Sequence, residues 1–416
     1  MRRVPLTPLL ATLVLCAAPA AATETARIDA PQRNQSTGAE QGAQPRAPAF
    51  AATGPEWHAP GLNPALTRYS HLDQITAENV SQLRVVSTFS TGLNKGHEAA
   101  PIVVGSTLYF VTPYPNVLYA LDITKPGMPL KWRFEPRPEA ASQGVACCDV
   151  VNRGAAYADG RVFFNTLDGQ TLAVDAESGK ELWRTKLGDI TVGETITMAP
   201  LVAKDKVIVG NSGGEMGVRG WAIALDAATG KSVWKAYSTG PDSEVLIGPD
   251  YKPFYDKEKG KDLGVTTWPA DMWRQGGGTV WGWVSYDPEL NLVYYGTSNP
   301  GPWNSTMRPG DNKWTAGIFA RDADTGQARW FYQLSPHDVS DYDGVNENIL
   351  LDIDWNGEPR KVLVHPDRNG YVYVIDRTNG EVLSAKPFHA INSSHGVDLT
   401  TGDLIYNEEK RPQANK

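Results

Sequence analysis

The sequence predicts an all-β fold, a β-propeller of four-stranded blades, on three observations. A block with the outline strand, Asp, turn with Gly, strand recurs along the chain at a spacing near 50 residues, a period that marks propellers and solenoids. The composition holds 40 glycines and 30 prolines among 416 residues, punctuation suited to many short strands rather than long helices. Four of the 13 tryptophans close these blocks, where a bulky indole can fill the gap between adjacent sheets.

The N-terminal residues read as a secretory leader. Arg2 and Arg3 give a positive start, Leu9 to Ala18 are apolar, and Ala20, Ala21 and Ala22 offer small residues for cleavage. Residues 1–22 are therefore expected to be a signal peptide removed on export to the periplasm. Leu15 before Cys16 suits lipid attachment poorly. No later stretch approaches about 20 apolar residues, so no membrane span is expected. Residues 23–54, rich in Ala, Gln, Pro and Gly without an apolar period, read as a disordered linker. The propeller is expected over 55–416, with ordered structure beginning near Trp57. At 41% apolar the chain can bury a large core. A formal charge of −8 argues against nucleic-acid binding, which needs a basic face.

The repeats follow in order. LYALDITKPGMPLKW carries Asp122 and Trp132, LAVDAESGKELW Asp175 and Trp183, AIALDAATGKSVW Asp226 and Trp234, and FARDADTGQARW Asp322 and Trp330. VYVIDRTNGEVL, with Asp376, is a fifth copy without the Trp. Successive Asp spacings are 53, 51, 96 and 54; the long one is close to two periods, and Ser285–Tyr286–Asp287–Pro288 inside it reads as a degenerate copy. Gly179, Gly230, Gly326 and Gly380 are expected to supply the positive φ of the turn, with the Asp accepting backbone N–H groups across it. Nearly all of these residues are scaffold, so function is to be sought where the repeat breaks.

Four segments break it. GVACCDVVNRG holds adjacent Cys147 and Cys148 with Arg153; once the leader is gone these are the remaining cysteines, and an oxidising compartment invites a disulfide. Neighbouring Cα atoms lie about 3.8 Å apart, below the usual bridge range, so such a ring is strained and tolerated mainly where function wants it. The alternative is two reduced, buried thiols. GNSGGEMGVRG sets Glu215 among five glycines, where backbone can approach a ligand; a simple exposed turn is the competing reading. GGGTVWGW and YYGTSNPGPWN put Trp281 and Trp283 two apart, on one face of extended chain, with Asn299 at a strand end; packing alone would also account for the tryptophans. SPHDVSDYDGVNEN brings Asp338, Asp341 and Asp343 within six residues. A solvated acidic loop is the default for such a cluster, yet on extended backbone Asp341 and Asp343 would face one way, and like charges held together call for a cation. Hard oxygen ligands favour calcium or a more highly charged ion.

Together these segments, with GTSNPGPWNSTMRPGDNKWT, resemble the quinoprotein alcohol dehydrogenases, the methanol and ethanol group above all, from about Tyr69 to Gly402. The resemblance implies an eight-bladed propeller, of which about five to six blades are expected here, holding pyrroloquinoline quinone (PQQ) and a metal ion. It implies Glu215, Asn299, Asp341 and Asp343 as metal ligands and Asp341 as catalytic base. Trp281 would form one face of a quinone sandwich and a Cys147–Cys148 disulfide the other. Glu98, Arg153, Thr197, Ser212, Gly213, Gly214, Thr279 and Arg368 fall where the family contacts the cofactor; arginine and hydroxyl donors suit a tricarboxylate. A second Asp at 343, two after the base, is similar to the lanthanide-using members, whereas calcium users carry a small residue there. An extra negative ligand suits a trivalent ion, so a lanthanide is expected over calcium.

The implied reaction oxidises a primary alcohol, methanol first, to an aldehyde: Asp341 takes the alcohol proton, hydride passes to the metal-polarised quinone, and electrons leave to a cytochrome c. The oligomeric state stays open between a monomer and a homodimer. Family members continue for further blades, so an incomplete ring is expected, and INSSHG (391–396) shows no sign of a closing strand. Two rival readings are a non-enzymatic propeller scaffold of the outer-membrane assembly type, and a quinoprotein acting on other alcohols, sugars or aldehydes.

Overall fold

The computed structural model describes residues 56–412; the expected leader (1–22) and linker (23–54) lie outside the described residues. Five four-stranded antiparallel meanders follow one another. Blade one is Ile102–Val104, Thr107–Val111, Leu118–Asp122 and Leu130–Phe134. Blade two is Ala155–Ala158, Arg161–Thr166, Gln170–Asp175 and Glu181–Lys186, and blade three is Leu201–Ala203, Lys206–Gly210, Trp221–Asp226 and Ser232–Tyr237. Blade four is Val284–Asp287, Leu292–Thr297, Gly317–Asp322 and Ala328–Gln333, and blade five is Ile349–Trp355, Glu358–Pro366, Tyr371–Asp376 and Val382–Pro387. A two-stranded sheet, Ser394–Val397 with Leu404–Tyr406, comes last among the described residues. First strands of successive blades touch one another, which is the radial stacking of a propeller. The middle strands are the driest: all five residues of Lys206–Gly210 are buried, because both faces of a blade pack against neighbours and near-continuous Val and Ile runs then gain from burial on each side.

Each repeat Asp ends a third strand, and each repeat Trp sits on the fourth strand opposite a small residue: Trp132 faces Ala120, Trp183 Ala173, Trp234 Ala224 and Trp330 Ala320. The indole then reaches into the next blade. Its N–H donates to the carbonyl just after the next repeat Asp, at Ala176 (3.1 Å), Ala227 (3.0 Å), Ala323 (3.0 Å) and Arg377 (3.1 Å). The ring lies on the turn glycine; a Cβ at Gly326 would stand 2.6 Å from Trp234 Cδ2, and one at Gly380 2.8 Å from Trp330 Cε3. These glycines do have positive φ, 70° to 85°, so each serves twice, for its backbone and for the space it leaves.

Two sequence expectations change. Ser285–Tyr286–Asp287 belongs to a first strand, Val284–Asp287, so it is no degenerate copy of the Asp repeat. The 96-residue spacing is one period plus an insertion, residues 238–283, that carries short helices at Asp242–Val245 and Leu263–Thr266. Alternation over four residues cannot tell a first strand from a third, which is why the sequence misled. The INSSHG stretch also contributes a strand, Ser394–Val397, followed by a sixth Asp–Thr–Gly turn: Asp398 accepts from the Thr400 N–H at 2.8 Å, and Gly402 has φ +77°.

That sixth turn is docked by a residue from the insertion. Blade five has Ser384 at the docking position, opposite Val374. In place of an indole, Tyr255 lies on Gly402, whose Cβ would stand 2.8 Å from Tyr255 Cδ2. The Tyr255 hydroxyl donates to the Leu399 carbonyl at 3.2 Å, the carbonyl just after Asp398, and accepts from the Val382 N–H at 3.0 Å. Three residues on, Glu258 is wholly buried, paired with Lys313 at 2.5 Å and accepting the Gln333 N–H.

Candidate active site

The topology gathers the expected residues. Glu98, Cys147, Cys148, Arg153, Thr197, Thr279, Trp281, Asp341 and Asp343 all precede first strands. Ser212, Gly213, Gly214, Glu215, Asn299 and Arg368 all lie between second and third strands. In an antiparallel meander the start of strand one and the junction of strands two and three share one end of the blade, whereas the docking turns, between strands three and four, take the other. Site and scaffold therefore occupy opposite ends.

At the site end is a cavity of about 290 Å³ lined by Cys147, Cys148, Arg153, Thr197, Ser212, Gly213, Glu215, Trp281, Asp341, Asp343 and Arg368. Four expected residues stand behind these. Glu98 pairs with Arg153 at 3.3 Å. The buried Thr279 shares a hydrogen bond with Ser298 at 2.9 Å, and a Cβ on Gly214 would meet the Thr279 hydroxyl at 3.4 Å. Asn299 gives its N–H to Asp343 Oδ1 at 3.0 Å. Ala146, Asp149, Val151 and Thr195 also line the cavity, and the sequence reading missed them; only Asp149, beside the cysteines, carried a readable signal.

One wall is a hydrogen-bonded row. Arg153 Nη1 donates to the Thr197 hydroxyl at 2.9 Å, Thr197 shares a 2.9 Å hydrogen bond with Ser212, and the Arg153 guanidinium stands 4.8 Å from the Trp281 ring centroid. Burial holds that guanidinium below its ordinary value, with Glu98 opposing. Cys147 and Cys148 form a disulfide with Cα atoms 3.8 Å apart, and both are exposed, so neither is the buried thiol of the competing reading. Trp281 and Trp283 precede the first strand of blade four rather than lying within it. Trp283 does not line the cavity; it packs under Arg68, 4.6 Å from ring centroid to guanidinium.

The opposite chemistry is acidic. Asp341 and Asp343 both face Arg368, at 3.6 Å and 2.7 Å. They do so without the extended backbone expected for them, since Asp341 has φ +61°. Asp343 is 4% exposed, and its carboxyl is pushed up to about 7 by burial and then by the Asp341 charge, against the Asn299 N–H and Arg368. Asp338, 2% exposed and pushed up to about 6 by burial, lies behind them.

A cation fits this wall on one observation. Asn299 Oδ1 and Asp341 Oδ1 are buried acceptor atoms without a hydrogen-bond partner, and buried acceptors of that kind cost free energy unless a donor or a metal meets them. Glu215, exposed on the turn Gly214–Met216, faces the same cavity. Among the described residues, no three His, Cys, Asp or Glu side chains are already assembled around a metal position; Arg368 holds the two aspartates instead.

A propeller whose blade ends set two arginines, hydroxyl donors, an indole and acceptor oxygens around one cavity is of the class that holds a flat, anionic cofactor. Comparison with known proteins gives that class its family. The family model for the PQQ glucose/ethanol/alcohol dehydrogenase β-propeller domain matches residues 57–391, and the chain belongs to that family. It is 53% identical over 357 residues to the lanthanide-dependent methanol dehydrogenase of Methylacidiphilum fumariolicum, covering 86% of this chain and 58% of that one. It is 50% identical over 364 residues to methanol dehydrogenase (cytochrome c) subunit 1 of Methylorubrum extorquens, covering 85% and 58%. A solved europium-containing methanol dehydrogenase superposes with a TM-score of 0.85 at 52% identity, covering 87% of this chain and 63% of that one. The chain thus spans less than two thirds of the length of these relatives.

Proposed function

We propose that this chain carries the cofactor site of a periplasmic quinoprotein that oxidises primary alcohols, methanol foremost, to aldehydes and passes electrons to a cytochrome c. The carrying observation is the pair of unpartnered acceptor oxygens on Asn299 and Asp341 beside the buried Asp343, at a cavity whose lining includes Arg153, Arg368 and Trp281. In this reading Glu215, Asn299, Asp341 and Asp343 hold the metal, and Asp341 is the catalytic base. Trp281 and the Cys147–Cys148 ring flank the quinone, with Glu98, Arg153, Thr197, Ser212, Gly213, Gly214, Thr279 and Arg368 around its polar edge. When bound, the quinone supplies a hydride acceptor and the metal a Lewis acid.

The residues' own work follows from their placement. Asp341, partly open to the cavity, can accept an alcohol proton there. Arg153 and Arg368 offer planar, charged donor forks suited to carboxylates. Burial pushes the Asp343 carboxyl up to about 7; a cation beside it would favour the charged form and gain a second full negative charge. That gain is larger for a trivalent ion than a divalent one, which supports a lanthanide over calcium. Among the described residues no helix is long and apolar enough to cross a membrane.

The test is reconstitution with quinone and either calcium or a light lanthanide, beside an Asp343→Ala variant. Lanthanide-supported turnover should collapse in the variant. Calcium turnover equal to or above the lanthanide value in the unmodified protein would overturn the metal assignment. Absence of any bound quinone chromophore would overturn the enzyme.

A further inference from the structure

We propose that Asp338 is a positioning residue for the base: its carboxylate clamps the loop that carries Asp341 and so fixes where Asp341 stands in the cavity. The proposal rests on the reading of Asp341 as base given above. Asp338 does not line the cavity and is 2% exposed. One of its oxygens accepts the Ser340 N–H at 2.8 Å, the other the Tyr342 N–H at 2.7 Å. Those are the backbone N–H groups of the two residues that flank Asp341. Between them Asp341 sits at φ +61°, a conformation that costs a residue with a Cβ about 1–2 kcal/mol and persists only where the surroundings over-determine it. A bracket of two charge-assisted hydrogen bonds is such a determinant.

The clamp has a backing. Arg308, also 2% exposed, donates to the Asp338 carbonyl at 2.7 Å, to the Pro302 carbonyl at 2.8 Å and to Asn312 Oδ1 at 2.9 Å. Pro302 lies three residues after Asn299. One guanidinium therefore ties the segment leaving Asn299 to the segment entering Asp341, while the Asp338 carboxylate sets the backbone at Asp341 itself. Both groups act through others and neither reaches the cavity.

Asparagine at 338 keeps the shape but offers one acceptor oxygen, and its amide group turns an N–H toward the second backbone donor. The test is an Asp338→Asn variant of the protein loaded with quinone and a lanthanide, with amide hydrogen exchange resolved at Ser340 and Tyr342. Exchange at one or both amides should rise about 10-fold or more, and kcat should fall about 10- to 100-fold, the usual effect of losing an outer support. KM for the alcohol and the absorption of bound quinone should stay within about twofold, since Asp338 itself touches neither. Unchanged exchange, or faster exchange with unchanged kcat, overturns the proposal. If the variant does not fold, the unmodified chain decides: the two amides should be strongly protected, and exchange as fast as at exposed neighbours excludes the clamp. A loaded, unmodified protein that oxidises no alcohol sinks the functional reading instead, while the exchange data still report on the clamp separately.

Discussion

Replacing Asp343 by asparagine should change how stability depends on pH in the metal-free protein. The ordinary value of the carboxyl is 3.8, and burial raises it to about 7 in the folded chain. The folded protein therefore keeps a proton that the unfolded chain gives up. Stability contributed by this group is full at low pH and is lost as pH rises from about 4 to about 7, after which the curve levels. From about pH 4.5 to about pH 7 the loss integrates to about 3 kcal/mol, at roughly 1.4 kcal/mol per pH unit within the window. Asparagine preserves the acceptor that takes the Asn299 N–H, leaves Arg368 without its nearer partner, and removes the titration. Urea unfolding of both proteins across that range gives the answer as a difference between curves, which cancels the groups that do not interact with Asp343. The variant should gain on the unmodified protein by about 3 kcal/mol as pH rises. Parallel curves would refute the reasoning, and so would a variant that loses ground.

Two further predictions concern the scaffold and the cofactor wall. Gly326→Ala and Gly357→Ala impose the same backbone penalty, φ +72° and +85°, but the first pushes a Cβ into Trp234 and the second meets nothing within 4 Å. In urea unfolding Gly326→Ala should be worse by about 1–3 kcal/mol, the cost of overpacking, and the excess should vanish in a Trp234→Ala background. Thr197→Val breaks the hydroxyl link between Arg153 and Ser212; quinone affinity measured by titration should fall about 10-fold, the worth of one hydrogen bond to a charged group, with the metal still bound.

The scaffold was readable because each of its parts is local. Asp175, Gly179 and Trp183 each serve a strand end, a turn or a seam within a dozen residues, and the pattern then repeats. The candidate site was readable through rare residue combinations, an adjacent cysteine pair or a Glu among glycines, and through likeness to a family. Where the reading failed, the cause was conformation that no periodicity encodes. The Asp341–Asp343 pair converges through a left-handed residue, not through an extended strand. Ser285–Tyr286–Asp287 looked like a third strand because four alternating residues fit a first strand equally well. Asp338 was visible as an acidic neighbour, but its role lies in hydrogen bonds to backbone, and those leave no trace in side-chain spacing. Arg308 gave no signal at all.

The tyrosine that seats the last described turn changes what the 238–283 excursion is for. Measured by sequence it is an interruption that a protein engineer would trim first. Yet Tyr255 reaches 147 positions down the chain to Gly402, and Glu258 pairs with the buried Lys313, so trimming it would release the last described sheet as well as unpair a buried charge beside blade four. Tolerance to deletion in this molecule is thus set by what a loop holds, and damage would surface far from the cut.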